Sequence, residues 1–387
     1  MTSVKARQGA DANWSGRLAH ESDGAAAGPE HQRGTSKSAA PLRIGVVGFG
    51  PGGRLFHTPF IQAAEGTVLA GVVARSEPRR LEVARHWPEV PVHHSLGEML
   101  ESGVQAVTIT TPPETHRDLA LEAISAGVHV IVDKPFAPSG AVGREIAAAA
   151  EAAGVTLSVY NNRRWDADFQ TLRRVVSEEH LGELWRVYSR FDLDEPGSLH
   201  SGEGNGLLLD IGSHLIDQLL CLLGPVTAVT AHLDWIELPA GPTDAGFSVN
   251  LVHASGVTSY AEASKANRIV AREFRAYGSK GSYRSNGTDV QTQSLLSGRM
   301  PAAHPDDWGY ETPTLWGTLS NDTGEQRIPS AQGRWQDFYA LFAAAVKGGT
   351  APPVTAVEAV SVLDVIDAAR ISDFRGETVR MEEAGCS

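Results

Sequence analysis

The stretch Leu42-Arg43-Ile44-Gly45-Val46-Val47-Gly48 is a short apolar run of the kind found in a strand buried on both faces. Comparable runs follow at residues 68–74, 106–110, 128–132 and 155–159. Helical segments lie between them, first at 55–64 and most plainly at 114–126 and 142–153. Parallel neighbours need a crossover connection, usually a helix, so this alternation predicts a parallel, doubly wound α/β sheet.

Past Tyr160 the texture changes. A helix-like segment at 166–177 gives way to stretches that alternate or are rich in β-branched residues, at 184–192, 226–233, 245–252, 257–262 and 269–277. These predict a large, mostly antiparallel sheet in an α+β region. A strongly apolar helix at 207–223 interrupts it, and 332–347 and 354–370 read as closing helices that can pack back on the first domain. Residues 285–329, crowded with Gly, Ser, Asn, Thr and Pro, predict loops and short strands. The expected organisation is therefore an α/β domain over 41–160 and an α+β domain over 161–387 for substrate binding and oligomerisation. Residues 1–40 lack apolar periodicity and read as a disordered extension.

Composition adds exclusions. A length of 387 residues exceeds the roughly 250–300 at which single cores stop growing, which agrees with two domains. With 33 Lys+Arg against 46 Asp+Glu, the net charge of -13 repels a phosphate backbone and argues against nucleic-acid binding. The two cysteines, Cys221 and Cys386, form no disulfide framework or zinc spacing, and His93-His94 lacks a convincing third ligand, so no metal is expected. The first forty residues hold no apolar run long enough for a signal peptide or a membrane span, so the expected location is cytoplasmic, without membrane association.

The candidate chemistry begins at Gly48-Phe49-Gly50-Pro51-Gly52-Gly53, which follows the first strand and opens a helix. A pyrophosphate needs backbone N–H groups aimed at it from a helix N-terminus, and a side chain on the approach would block it. The glycines predict a dinucleotide-binding Rossmann unit; a tight turn without ligand is the alternative. Where an NAD-binding unit usually places an acid, the end of the second strand carries Arg75 and Ser76. These can hold a 2′-phosphate that a carboxylate would repel, so NADP is expected in preference to NAD; a solvated Arg75 is the alternative. Lys134, in Asp133-Lys134-Pro135, falls at the carboxyl edge of a strand, where ligands of such sheets bind. Asp210 and His214 stand four apart on one helical face, and imidazole is the usual proton carrier near neutral pH. Asp210 could also cap the helix that begins near Ile211, and Arg163 with Arg164 could be a helix-start salt-bridge pair.

In these motifs the chain resembles the glucose-fructose oxidoreductase/inositol dehydrogenase family, Gfo/Idh/MocA, over roughly residues 42–380. The family's glycine loop looks like 48–53, its Glu-Lys-Pro motif matches Asp133-Lys134-Pro135, and its Asp-x-x-x-His motif matches Asp210 to His214. Residues 160–166 and Phe56-His57-Thr58-Pro59-Phe60 are similar to the subgroup containing NADP-dependent scyllo-inositol dehydrogenases. Two positions depart from the usual pattern: Asp133 replaces Glu, and Pro113 stands where many members have Asn.

The resemblance implies hydride transfer between nicotinamide and a secondary alcohol or ketone of a cyclitol, sugar or related polyol. Lys134 and His214 would flank the reacting oxygen, with Asp210 orienting the site. It implies a cofactor site of Gly48, Phe49, Gly50, Gly52, Gly53, Arg54, Leu55, Arg75, Ser76, Thr111, Pro112, His116, Asp133, Lys134, Arg163 and Trp165, and a homodimer or homotetramer formed through the C-terminal sheet. An NAD-dependent glycosidase on the same fold and a non-catalytic dinucleotide-binding regulator are the competing readings.

Overall fold

The computed structural model describes residues 40–202, 204–285, 287 and 289–381. The extension expected over residues 1–40 lies, but for its last residue, outside them, as does Cys386. Two sheets organise the described chain. The first is six-stranded and parallel, built from β1 (Leu42–Val47), β2 (Thr67–Val73), β3 (Val92–His93), β4 (Ala106–Ile109), β5 (His129–Val132) and β6 (Leu157–Val159) in the order β3-β2-β1-β4-β5-β6. Val46, Ile44, Val107, Ile109, Val130 and Ile131 are fully buried, because helices cover both faces and leave the central strands no solvent side. The order reverses between β1 and β4, and at that switch point the carboxyl ends of neighbouring strands leave a crevice.

The second sheet has nine strands, β7 (Leu184–Asp194), β8 (Val226–Leu238), β9 (Gly241–His253), β10 (Thr258–Ser264), β11 (Ala266–Gly278), β12 (Gly281–Ser285), β13 (Gly317–Asn321), β14 (Gly324–Ile328) and β15 (Val379–Arg380). Their order is β14-β13-β12-β11-β7-β10-β9-β8-β15. Every pairing is antiparallel except β7 with β10. The exception is geometric: β10 and β11 run in opposite directions, so a strand inserted between them must be parallel to one. The α/β plus α+β architecture expected from the sequence is the one observed.

Three local features differ from the pattern. The short β3 has too few residues to show a period. The helix expected over 207–223 is two pieces, Leu207–Asp210 and Gly212–Leu223, joined at Ile211. Within 285–329 lies a short helix, Val290–Leu296, whose first turn is capped by the Asp289 side chain accepting from Thr292 N. The helix Ala356–Arg375 starts with a capping box between Thr355 and Glu358 and ends at Gly376, whose φ of +66° suits a glycine C-cap. It packs on the helix Gly140–Ala153, where Gly140 N donates to Asp367 Oδ2 at 2.8 Å and Arg144 pairs with Asp364. Among the described residues, no helix is long and apolar enough to cross a membrane.

Candidate active site

The glycine turn leaves β1 at the switch point. Gly48 has φ +102°, and Thr110 Oγ1, from the end of β4, donates to the Gly48 carbonyl at 2.8 Å. A Cβ on Gly53 would run into that carbonyl oxygen and lie 2.8 Å from Thr110 Oγ1, so close helix–strand packing fixes this glycine. A Cβ on Gly50 would meet nothing within 4 Å, so the side of the turn where Gly50 lies is open. The first turn, Gly52–His57, is π-type: Thr58 N donates to Gly53 O, five residues back. This wide turn presents free N–H groups at the helix start, the geometry that suits a phosphate.

The other residues of the expected cofactor site surround this turn. Phe49 is buried edge-on against Trp87, with ring centroids 5.6 Å apart, and Leu55 is half-buried. Arg54 pairs with Glu82 at 3.3 Å. Arg75 and Ser76 follow β2 and are exposed; among the described residues the Arg75 guanidinium has no acceptor, while its carbonyl accepts from Arg80 Nη1 at 2.5 Å. Thr111 and Pro112 follow β4, with Thr111 Oγ1 2.6 Å from Thr115 Oγ1. His116 is buried with Nδ1 2.9 Å from Pro135 O and Nε2 2.8 Å from Thr111 O, tying the loop after β4 to the loop after β5; burial lowers its pKa against the pull of Asp133.

Asp133 lies beneath the turn, its Oδ2 3.4 Å from where a Gly52 Cβ would be. His57 Nε2 is 3.3 Å from Asp133 Oδ2, and His57 Nδ1 is 2.6 Å from the Tyr339 hydroxyl. Burial acts to raise the Asp133 pKa, but His57 first, then Lys134 and His116, outweigh it and hold the carboxyl below its ordinary value. The peptide bond between Lys134 and Pro135 is cis.

Lys134, in the loop after β5, and Asp210, at the end of the helix Leu207–Asp210, meet. Lys134 Nζ donates to Asp210 Oδ1 at 2.6 Å and to the Asp210 carbonyl at 3.3 Å. The second carboxylate oxygen accepts from Lys265 Nζ at 2.9 Å. Recession into the cleft acts to raise the Asp210 pKa, but the two ammonium groups outweigh it and hold the carboxylate well below the usual range. The capping role open to Asp210 is not the one it takes: no side-chain cap is made at the start of Gly212–Leu223, because both oxygens go to lysines. The N-terminal cap of Leu207–Asp210 comes instead from β9, where Asp244 Oδ2 accepts from Leu208 N at 2.5 Å.

His214, one turn on from Asp210, is 4% exposed, and its Nδ1 is buried without a hydrogen-bond partner among the described residues. Burial and then the Lys134 and Arg163 charges push its pKa well below 6.5, against Asp210. Imidazole there is neutral and can accept a proton. Arg163 donates to Asp289 Oδ2 at 2.9 Å and Asp166 Oδ2 at 3.2 Å, so its guanidinium is held by carboxylates; Arg272 grips Asp166 and Asp168 beside it. These three carboxylates outnumber the two guanidiniums, and burial, opposed by Arg272 and then Arg163, pushes the Asp166 carboxyl up to about 6. Arg164 turns the other way, onto Asp217 at 2.7 Å and Glu358 at 3.0 Å. Trp165 packs edge-on against Phe338. Lys265, Tyr339 and Arg272 carry no motif or spacing that sequence reasoning singled out, and His57, though part of the matched 56–60 segment, has no role that the segment itself reveals.

Comparison with known proteins matches residues 42–161 to the family model described as an oxidoreductase family with an NAD-binding Rossmann fold, and residues 169–284 to the GFO/IDH/MocA C-terminal domain. The chain is 31% identical to the Bacillus subtilis scyllo-inositol 2-dehydrogenase (NADP(+)) IolW, over 88% of this chain and 96% of that protein. It is 33% identical to the Escherichia coli uncharacterized oxidoreductase YdgJ, over 84% and 94%. Among solved structures, the Bacillus subtilis oxidoreductase yvaA superposes with a TM-score of 0.82 at 31% identity, covering 88% of this chain and 99% of that one.

Proposed function

The chain belongs to the GFO/IDH/MocA oxidoreductase family, and from that premise we propose that it transfers hydride between a nicotinamide cofactor, NADP by preference, and a secondary alcohol or ketone of a cyclitol, sugar or related polyol. The observation that carries the reading is Asp210, which binds Lys134 at the carboxyl edge of β5 and stands one helical turn from the neutral His214.

The residues present fit the cofactor. The open side at Gly50 and the free N–H groups of the turn from Gly52 suit a pyrophosphate, with Gly48, Phe49, Gly53, Arg54 and Leu55 shaping the turn. The uncommitted Arg75 guanidinium, next to Ser76, suits a 2′-phosphate, and similarity to a protein named as NADP(+)-dependent supports that preference. Thr111, Pro112 and Asp133 would flank the path to the reacting end, His116 would serve by tying the two loops together from its buried position, and Arg163 and Trp165 would bound the nicotinamide side. When bound, the cofactor supplies the hydride acceptor or donor.

The protein's own part is proton and charge handling. Lys134 stabilises negative charge developing on the substrate oxygen, and neutral His214 takes the hydroxyl proton during oxidation. Asp210 holds the Lys134 ammonium in place, and His57 holds Asp133. The division into domains 41–160 and 161–387, and assembly as a dimer or tetramer through the nine-stranded sheet, belong to the same reading; light scattering that finds only monomer overturns the assembly.

The deciding experiment follows cofactor absorbance with inositols, hexoses and deoxysugar ketones, using NADP and NAD in parallel. Turnover that is lost in Lys134→Ala and His214→Ala, with cofactor binding retained, is expected. Full turnover in either variant removes the mechanism, and a clear NAD preference removes the role given to Arg75.

A further inference from the structure

Beyond the three residues of that mechanism, the cleft contains a second lysine. Lys265 sits between β10 and β11, where its N donates to Ala245 O at 2.9 Å and its carbonyl accepts from Glu195 N at 3.2 Å, so both strands' neighbours fix its backbone. Its side chain is 9% exposed, against 21% for Lys134 and 41% for Asp210. Lysine is almost never buried unless paired, and a buried ammonium needs acceptors for each of its three N–H groups. Among the described residues Lys265 has a single acceptor, Asp210 Oδ2, whereas Lys134 has two, both on Asp210.

The unspent donors of Lys265 adjoin a space that Asp210 and Pro135, the residue after Lys134, also line. A cavity of about 200 Å³ is lined by Pro113, Ser198, His200, Asn205, Asp210 and Lys265. That is smaller than the roughly 300–1,000 Å³ of drug-sized sites, and suits a single ring. The two ammonium groups hold opposite oxygens of one carboxylate, which sets them side by side.

We propose that Lys265 is a substrate-contacting specificity residue, whose ammonium donates to the oxygen adjacent to the one at which Lys134 and His214 act. The substrate class is then a ring with vicinal oxygens: a 1,2-diol in oxidation, an α-hydroxy ketone in reduction. This inference rests on the function proposed above and adds to it a second point of recognition. Asp210 serves both lysines, keeping them from repelling each other out of register.

The test compares scyllo-inositol, in which each carbon bears an oxygen neighbour, with cyclohexanol, which has none, using the full chain and NADP. In Lys265→Met the ratio of kcat/KM for the inositol to that for cyclohexanol is expected to fall roughly ten- to a hundred-fold, the effect of one lost charge-assisted hydrogen bond. Lys265→Gln, which keeps a donor without the charge, recovers part of the ratio and serves if the methionine variant folds poorly. Cofactor affinity, read by fluorescence, stays within about twofold because no residue of the glycine turn lines the cavity that Lys265 borders. Saturation-transfer NMR of scyllo-inositol on the cofactor-loaded protein gives a readout without turnover, and its signal weakens in Lys265→Met. A ratio unchanged in both variants, or a fall on both alcohols alike, overturns the substrate contact and leaves the proposed function standing. A wild-type protein that binds NADP yet neither binds nor turns over scyllo-inositol or any of the inositols, hexoses and deoxysugar ketones overturns both.

Discussion

A methyl group placed at two positions of the glycine turn separates packing from ligand binding. At Gly53 the added Cβ collides with the Gly48 carbonyl oxygen and comes within 2.8 Å of Thr110 Oγ1. The main obstacle is backbone, which cannot rotate away, so Gly53→Ala takes the upper end of the overpacking cost, about 3 kcal/mol. With roughly 2.1 cal/mol/K of unfolding entropy per residue, a chain of this length loses about 1–2 °C of melting temperature per kcal/mol, hence about 3–6 °C here. At Gly50 a Cβ meets nothing within 4 Å, so Gly50→Val leaves the melting temperature within about 1 °C. Its branched side chain nevertheless fills the space in which a pyrophosphate would approach the turn, and cofactor affinity falls by roughly a hundredfold or more. Differential scanning fluorimetry without cofactor and fluorescence titration with NADP give the two numbers. Gly50→Val that binds NADP like the wild type refutes the placement of the dinucleotide; Gly53→Ala that melts like the wild type refutes the packing argument.

Arg75→Ala is expected to lower the ratio of kcat/KM for NADP over NAD by roughly tenfold, a modest value because the side chain is exposed; an unchanged ratio, measured from cofactor absorbance, assigns Arg75 to solvent. Because burial and Lys134 hold the His214 pKa well below 6.5, its imidazole shifts in an NMR titration stay those of the neutral ring as pH falls through 6.5, and a midpoint near 6.5 contradicts the mechanism. The unfolded chain binds the proton that native His214 refuses, so this residue makes stability fall as pH drops through the unfolded value of 6.5. Asp217→Asn, which takes from the buried Arg164 guanidinium its buried carboxylate and leaves it only the more exposed Glu358, is expected to cost up to about 3 kcal/mol in denaturant unfolding, while the paired change Arg164→Met with Asp217→Leu recovers most of it; equal losses in both refute a pairing effect.

What the sequence made legible follows from the range of each interaction. The parallel sheet could be read because Ile44, Val46, Val107 and Val130 are buried on both sides, and an unbroken apolar run needs no partner to be recognised. The glycine turn and the Asp210–His214 spacing are likewise local, set by a turn and by one helical repeat. The Lys265–Asp210 bond joins positions 55 apart, through a connection between strands whose register no local pattern encodes. The Asp244 cap comes from another strand, 36 positions on, and His57 finds Tyr339 at a separation of 282. The segment Phe56 to Phe60 marks His57 by resemblance, but nothing in it points to Tyr339, which reads alone as an ordinary core residue.

These long-range contacts also decide which way a proton can move. Asp133 is met by His57, Asp210 by two lysines, and Asp166, Asp168 and Asp289 by Arg163 and Arg272. Each carboxylate near the cleft is thus committed elsewhere, and none among the described residues hydrogen-bonds His214. A histidine held by a carboxylate gains stability as its cation; His214 instead is buried and faces the positive charges of Lys134, Arg163 and Arg272 against the one carboxylate of Asp210. An alcohol proton accepted by His214 is held weakly, whereas charge left on the substrate oxygen meets Lys134 at once. The site is therefore built to stabilise the alkoxide more than the imidazolium, and removal of Lys134 should slow turnover more than removal of His214. Single-turnover rates for Lys134→Ala and His214→Ala measure that order, and the reverse order refutes it.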